Sequence, residues 1–473
     1  MAQARTDSPL PVRVVSRSLV KASDTSIKPY VRNLTNLEIP NNSQGTVACV
    51  YPRVTTGDFG AVAETFHGRL PSFLNFFFPW AGRIASNAAT GRPEIHCFNQ
   101  GAELLIGEVD VPLGSLDWTL SRRSLRKILM PYGEELLLSV QVLSFACGGF
   151  SVAWRSNNLI GDGNTAMRVV MGWTELLRTG TVAGVERDRP ALFQPRDPPA
   201  YSAEIAEAFR PYEHEKMVNA LTVADSTVER LYYIEARDIA GLHEAAKLGG
   251  RRRISRVHAF SAYTWKVLAS VVAASTRLSE DEKRCGLVLW VDARQRFSSP
   301  EMLAAMRNYI GFSCAYVHQE EYAAAILEKR LADVAAMLGE AVQSKDYDAN
   351  LQDTSDWLEV HKDGYYIETP AIGLGSPTLG QTMWSSFPTN LDFGFGQASL
   401  VMPVDDFAER LASGLMLVTA RPGGDGSWIV SAEIWRCLAE ALEADQQHIF
   451  KPLTAEYLGF SNSTSKKIQI SRL

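Results

Sequence analysis

The chain reads as a two-domain α/β protein, and three observations predict this. Its 473 residues exceed what one ordinary core organises. Strand-like and helix-like segments alternate along its whole length. A stretch rich in Pro and charge, TVAGVERDRPALFQPRDPPAYSAE, breaks the alternation near the middle, as an interdomain crossover does. We therefore place one domain at 1–195, a crossover at 196–221 and a second domain at 222–473.

Each element has its own reason. VRVVSRSLVKA and TVACVYP are rich in β-branched residues and read as strands. DFGAVAETFHGRLPSFLNFF has apolar residues at helical spacing and runs into FPWAGRI. ELLLSVQVLSFACGGFSVAWRSNN reads as two buried strands joined at Gly148-Gly149. After RSNNLIGDGN, the positions Met167, Val170, Met171, Thr174 and Leu177 form one helical face, for which Asn164 is a suitable N-cap. Beyond the crossover, ERLYYIEA restarts as a strand and SRVHAFSAYTWKVLASVVAA as a helix. RCGLVLWVDARQR has the pattern of a central strand, and EEYAAAILEKRLADVAAMLGEAV that of one long amphipathic helix.

Composition narrows the function. Hydrophobic residues make up 46% and charged residues 21%, an ordinary globular balance. A formal charge of -6 argues against a nucleic-acid partner, whose phosphates require a basic face. No apolar run is long enough to span a bilayer, and MAQARTDSPLP lacks the apolar core of a signal peptide, so a soluble intracellular protein is expected. The six cysteines are scattered, and the eight histidines form no ligand pattern. Neither a disulfide framework nor a metal site is expected.

The stretch Asn158-x-x-x-Asp162-Gly163 leaves a buried strand, turns on glycines and enters a helix. Side chains at such a switch face a cleft in α/β folds. Buried there, Asp162 needs a cationic partner. By itself the stretch also fits an ordinary strand-turn-helix with a capping residue. Two later motifs favour a functional reading. VDAR supplies an arginine, Arg294, at a strand end, and DFGFG (392–396) follows TMWSSFP. DFG also occurs in protein kinases, but the chain has no HRD loop, no VAIK lysine and no glycine-rich phosphate loop.

In this order, IKPYV, FFPWAGRI, CFNQGAELLIGEVDV, LLSVQVLSFACGGF, NLIGDG, VDAR, TMWSSFP and DFGFG resemble the plant BAHD acyl-CoA-dependent acyltransferases over nearly the whole chain. The first half is most similar to the coniferyl-alcohol acyltransferase-like branch. The resemblance implies two chloramphenicol-acetyltransferase-like α/β domains with a solvent channel between them, the first domain completed by a segment near 375–398. It implies a monomer that uses acyl-CoA as cosubstrate and a hydroxyl or amine of a plant metabolite as acceptor. No permanent cofactor and no metal are implied. Carried over by motif, Asp162 pairs with Arg294 to hold the loop together with Gly163. Thr382 and Trp384 match the family's T-x-W, whose indole N–H serves the tetrahedral oxyanion. Asp392, Gly394 and Gly396 shape a structural turn, in which Phe395 stands for the usual Trp.

One position departs from the pattern. Asn158 occupies the place of the family's histidine, the general base that removes the acceptor's proton. A carboxamide has no lone pair basic enough for that near neutral pH. Three outcomes are compatible with the sequence: acyl transfer in which Asn158 only orients the acceptor, recruited lyase-type chemistry in which the substrate supplies its own base, and a catalytically silent protein that binds a ligand or partner.

Two basic features remain. Arg251, Arg252 and Arg253 in GRRRISR form either a solvated loop or a contact to CoA phosphates. Ser471-Arg472-Leu473 is the S-K-L type of address and predicts recognition by a peroxisomal import receptor, with the cytoplasm as the alternative location. A peroxisomal setting suits an aromatic acyl donor.

Overall fold

The computed structural model describes residues 10, 12–118, 125–185, 192–213, 219, 221, 227–247, 254–364, 366–368, 375–404 and 413–460. In the first half these form β1 (Val12–Val20), β2 (Tyr30–Asn33), β3 (Gln44–Tyr51), β4 (Arg83–Ser86), β5 (Pro93–Cys97), β6 (Ala102–Val109), β7 (Leu138–Phe145) and β8 (Phe150–Asn157). The second half adds β9 (Phe209–Pro211), β10 (Thr227–Ile234), β11 (Arg284–Asp292), β12 (Cys314–Tyr322), β13 (Tyr366–Glu368) and β14 (Thr378–Trp384). Last come β15 (Leu400–Pro403), β16 (Ser413–Ala420), β17 (Trp428–Trp435) and β18 (Lys451–Pro452).

Two large sheets result. One has the order β1-β6-β7-β8-β3-β15, the other β12-β11-β14-β16-β17-β10-β18. The helices Phe59–Phe76 and Gly163–Thr179 cover one face of the first sheet, where Phe66, Phe73, Trp154 and Trp173 interlock. The helices Arg256–Ala273 and Leu331–Ser344 cover one face of the second, around Trp265, Leu287 and Val430. The opposite faces meet. Ala48, Val50, Leu105 and Leu143 of the first sheet share a core with Leu231 and Ile429 of the second. Burial of apolar surface on this scale, at roughly 25 cal/mol per Å², joins the halves into one packed body.

The chain crosses between the sheets more than once. The segment that completes the first sheet is β15, which pairs with β3 through Leu400 and Val50. It lies just beyond the 375–398 expected, and β14 within that range belongs to the second sheet. Residues of that range still enter the first core, through Leu391, Phe393 and Ala398, with Trp384 and Phe387 packed against it. The crossover at 196–221 is structured in part, with a short helix at Ala203–Ala208 and β9 paired to β13.

Two local expectations need correction. The helix after the turn begins at Gly163, and its N-cap is Asp162, whose carboxylate accepts the amide of Thr165 at 3.1 Å, not Asn164. A charged Asp caps as well as Asn, and here it also has to meet a cation. The run EEYAAAILEKRLADVAAMLGEAV is not one helix. Its first residues extend β12, a short helix covers Ala323–Glu328, and Leu331–Ser344 follows. Lys266 donates to the carbonyls of Ile326, Leu327 and Lys329 at 2.8, 3.0 and 2.6 Å, which satisfies the carbonyls that the break exposes.

Candidate active site

The candidate site forms where β8 of one sheet faces β11 and β14 of the other. β8 ends at Asn157, whose side chain accepts the amide of Leu159 at 2.8 Å and turns the chain into a single 3-10 turn, Asn158–Ile160. Gly161 is obligatory there, because a Cβ would lie 2.5 Å from the side chain of Thr165. The helix then starts at Gly163. This is the strand-turn-helix that the sequence predicts.

Asp162 is buried and fully engaged. Its two oxygens accept from Arg294 Nη1 and Nη2 at 2.8 and 3.0 Å, and the amide of Ser313 donates to it at 2.9 Å. Both side chains of the pair are only 3% exposed. Arg294 also donates to Asp292 at 2.9 Å and to the carbonyls of Tyr309 and Gly311 at 3.2 and 2.7 Å. Burial alone would weaken its charge, but Asp162 and Asp292 outweigh this and hold its pKa above the ordinary guanidinium range. The expected Asp162–Arg294 pair is therefore present, and it is bidentate, the geometry in which arginine binds a carboxylate most strongly.

The pair also fastens the two halves at the turn. Thr165 Oγ1 donates to the carbonyl of Gly311 at 3.1 Å, and Asn164 Nδ2 to Asp292 at 2.8 Å. Sequence reading found Asp162 and Arg294 but missed Asp292, Thr165 and the backbone at Gly311 and Ser313. Main-chain partners carry no side-chain signature, so no residue type could have marked the last two.

Asn158 lies on the other side of the turn and is partly exposed. Its amide N–H donates to the carbonyl of Ser43 at 2.8 Å, and its Nδ2 to the Ser43 hydroxyl at 3.2 Å. Its Oδ1 takes no hydrogen bond from the described residues and is left to accept one from outside. Ser43 was not anticipated, since nothing in IPNNSQ marks it. Cys314, the nearest thiol to Asp162 at 3.8 Å, is no substitute base, because burial first and Asp162 second push its pKa well above the usual thiol range.

Thr382 and Trp384 lie on β14, two residues apart and thus on one face. The indole reaches the turn: a Cβ on Gly163 would sit 2.5 Å from Trp384 Cζ2, so only glycine permits this contact. The indole N–H is not free, however. It donates to Thr382 Oγ1 at 3.1 Å, which leaves the threonine hydroxyl hydrogen as the proton this pair can offer. That differs from the implied role of Trp384 as direct donor.

The DFGFG turn stands apart from this cluster. Asp392 accepts the amides of Gly394 and Gly396 at 2.8 and 3.2 Å, and both glycines have positive φ, at 105° and 120°. Phe393 fills the first core against Tyr51 and Phe66, and Phe395 packs on Phe393. The turn is a packing device. Arg251, Arg252 and Arg253, and Ser471-Arg472-Leu473, lie outside the described residues. No group of His, Cys, Asp and Glu suited to a metal occurs among the described residues.

Two facing α/β units, joined by a buried ion pair beneath a turn and flanked by a T-x-W strand, define a two-domain acyltransferase architecture. The profile of the Transferase family matches residues 10–434, and the chain belongs to that family, the BAHD acyl-CoA-dependent acyltransferases. It is 26% identical over 404 residues to hydroxycinnamoyltransferase 1 of Oryza sativa subsp. japonica, covering 82% of this chain and 87% of that one. To the hydroxycinnamoyl-CoA:5-hydroxyanthranilate N-hydroxycinnamoyltransferase HHT1 of Avena sativa it is 25% identical over 390 residues, 79% of this chain and 84% of the other. The fold is similar to that of vinorine synthase, with a TM-score of 0.67 and 18% identity over 93% of this chain and 99% of that one. It is also similar to F. sporotrichioides TRI101 complexed with coenzyme A and T-2, with a TM-score of 0.71 and 16% identity over 89% and 98% of the two chains.

Proposed function

We propose that the protein transfers an aromatic acyl group from CoA to a hydroxyl or amine of a plant specialised metabolite, with Asn158 orienting the acceptor and not deprotonating it. The observation that carries this reading is the Trp384 indole, hydrogen-bonded to Thr382 and packed on Gly163, the residue next to Asp162 of the Asp162–Arg294 clamp. In the reaction the acceptor heteroatom forms a bond to the thioester carbon, the C–S bond breaks, and the acceptor's proton ends on the CoA sulfur. The Thr382 hydroxyl donates to the carbonyl oxygen as negative charge gathers on it. Asn158 Oδ1 accepts a hydrogen bond from the acceptor N–H or O–H and fixes its approach, with Ser43 holding the amide in place.

Without a base the acceptor's own nucleophilicity decides the rate. A neutral amine attacks before losing its proton, whereas an alcohol gains most from losing it during attack. Amine acceptors are therefore favoured over alcohols. The names of some relatives, such as the Avena N-hydroxycinnamoyltransferase and the putrescine hydroxycinnamoyltransferase 1 of Oryza, are compatible with this preference.

The test is a panel of acyl-CoA donors against amine and alcohol acceptors, with Thr382→Val beside the wild type. Valine keeps the shape and strand preference of threonine, so the fold is retained while the hydroxyl is lost. Transfer is expected in the wild type and should fall by about 10²–10³-fold in the variant. Binding of acyl-CoA with no transfer to any acceptor would instead establish the silent, ligand-binding reading, which the missing base favours.

Import into peroxisomes through Ser471-Arg472-Leu473 is part of the proposal. A fluorescent protein fused ahead of the full chain should give punctate peroxisomal signal that disappears when these three residues are deleted. Identical diffuse signals from both fusions would refute it.

A further inference from the structure

The loop between β2 and β3, residues 34–43, buries a carboxylate that the proposed reaction does not use. Glu38 is 0% exposed. A carboxylate withdrawn from water is costly unless it is paired and hydrogen-bonded. One of its oxygens accepts from Arg32 Nη2 at 3.0 Å, the other from the amide and hydroxyl of Thr35 at 2.9 and 3.2 Å. The Arg32 side chain is itself only 10% exposed. A buried pair of this kind adds little net stability, and its effect lies in the geometry it imposes.

That geometry reaches both ends of the turn that carries Asn158. The same Arg32 Nη2 donates to the carbonyl of Ile160, the last residue of the 3-10 turn Asn158–Ile160, at 3.4 Å. A second path runs from Glu38 to the first residue of that turn. The loop's own 3-10 turn, Ile39–Asn41, starts directly after Glu38, whose carbonyl accepts the amide of Asn41 at 2.9 Å. The carbonyl of Asn41 accepts the amide of Ser43 at 2.7 Å, and Ser43 meets Asn158 through both its carbonyl and its hydroxyl. Asn42 Oδ1 accepts from Asn157 Nδ2 at 2.9 Å. Residues 157, 158 and 160 are thus each held by β2 or by the loop that follows it.

Asn42 and Ser43 are exposed, so core packing does not fix them. Their position comes from the hydrogen bonds of the loop, which Glu38 anchors in the interior. The loop is also tied further upstream. Asn36 Nδ2 donates to the carbonyl of Ser355 at 2.9 Å and to Glu359 at 3.0 Å, on the helix Tyr347–Val360 of the second half. That contact precedes Glu38 and leaves residues 39–43 to follow the buried pair.

We propose that Arg32 and Glu38 are positioning residues for acyl transfer, which through Ile160 and Ser43 set the direction in which Asn158 Oδ1 meets the acceptor. The inference rests on the acyl-transfer reading above. Arg294 holds the turn from the second half at residue 162, and Arg32 holds it from the first half at residue 160. A displacement of about 1 Å in a positioned group costs roughly 10²-fold in rate. Because the displaced group is Asn158, the acceptor step should register the loss and acyl-CoA binding should not.

Arg32→Met alone strands a buried carboxylate, so the test combines it with Glu38→Gln, whose amide oxygen still accepts from Thr35. The two substitutions are made together in the wild type and in Asn158→Ala. Rates are measured against acceptor and acyl-CoA concentration, beside acyl-CoA affinity and the unfolding midpoint. In the wild-type background kcat/KM for the acceptor should fall by about 10–100-fold with acyl-CoA affinity kept. In Asn158→Ala the same substitutions should cost no more than about 2-fold. Glu38→Gln alone, the mildest change, should give a smaller loss with the same dependence on Asn158. No loss in the wild-type background, equal losses in both, or a fall in kcat at constant KM that tracks the folded fraction would overturn the assignment and leave the acyl-transfer reading standing. Absence of transfer by the wild type to every acceptor would overturn both.

Discussion

Asn158→His is expected to raise acyl transfer to an alcohol acceptor by about 10²–10⁴-fold, the usual contribution of a positioned general base. The site around residue 158 is otherwise complete. The turn is fixed by Asn157 and Gly161, the clamp below it by Asp162 and Arg294, and the donor opposite by Thr382. An imidazole at 158 replaces the amide that now meets the Ser43 hydroxyl, which remains able to orient one ring nitrogen. The other nitrogen is then the base. Asp162 is not available to orient it, because Arg294 and the amides of Thr165 and Ser313 occupy that carboxylate.

The same variant has a signature in pH. An imidazole accepts a proton only when neutral, and its ordinary pKa is about 6.5. The variant's rate should therefore climb as pH rises through that region and level off above it. The wild-type profile should lack this limb, since an amide does not titrate. For amine acceptors the gain should be smaller, because attack precedes deprotonation. Unchanged rates in the variant, with acyl-CoA binding intact, would show that the pocket is not arranged for transfer.

How much of this was legible in the sequence differs by residue. Strands such as β7 and β8 were readable because they are buried on both faces, which leaves a continuous apolar run that few other structures tolerate. The partnership of Asp162 with Arg294 followed from the cost of a buried charge and the resemblance in motif order. The break before Leu331 was not readable, because its cause is Lys266, more than sixty positions away, which stabilises the exposed carbonyls by a tertiary contact. The same holds for β15. Four residues, LVMP, carry too little pattern to reveal that they leave one sheet and complete the other.

The largest effect on stability is expected from Arg294→Met. Removing one partner of a buried pair leaves the other charge without compensation and costs about 3–5 kcal/mol. Asp162 would keep the amides of Thr165 and Ser313 but lose both guanidinium nitrogens, in a site with 3% exposure. The carbonyls of Tyr309 and Gly311 would lose their donor as well. Denaturant unfolding should show the shift in midpoint, and transfer should fall with it, because the turn that carries Asn158 is held to the second half through this arginine. A second substitution separates charge from packing. Asp162→Asn in the Arg294→Met background removes the stranded charge yet keeps an N-cap oxygen for Thr165, so the double variant should be more stable than Arg294→Met alone. Activity should return only in part, since Thr165 and Asn164 still tie the turn to Gly311 and Asp292 while the arginine's own contacts to Asp162, Tyr309 and Gly311 are gone. A double variant no more stable than the single one would mean that the arginine acts through its backbone contacts and packing, and that the carboxylate of Asp162 tolerates burial unaided.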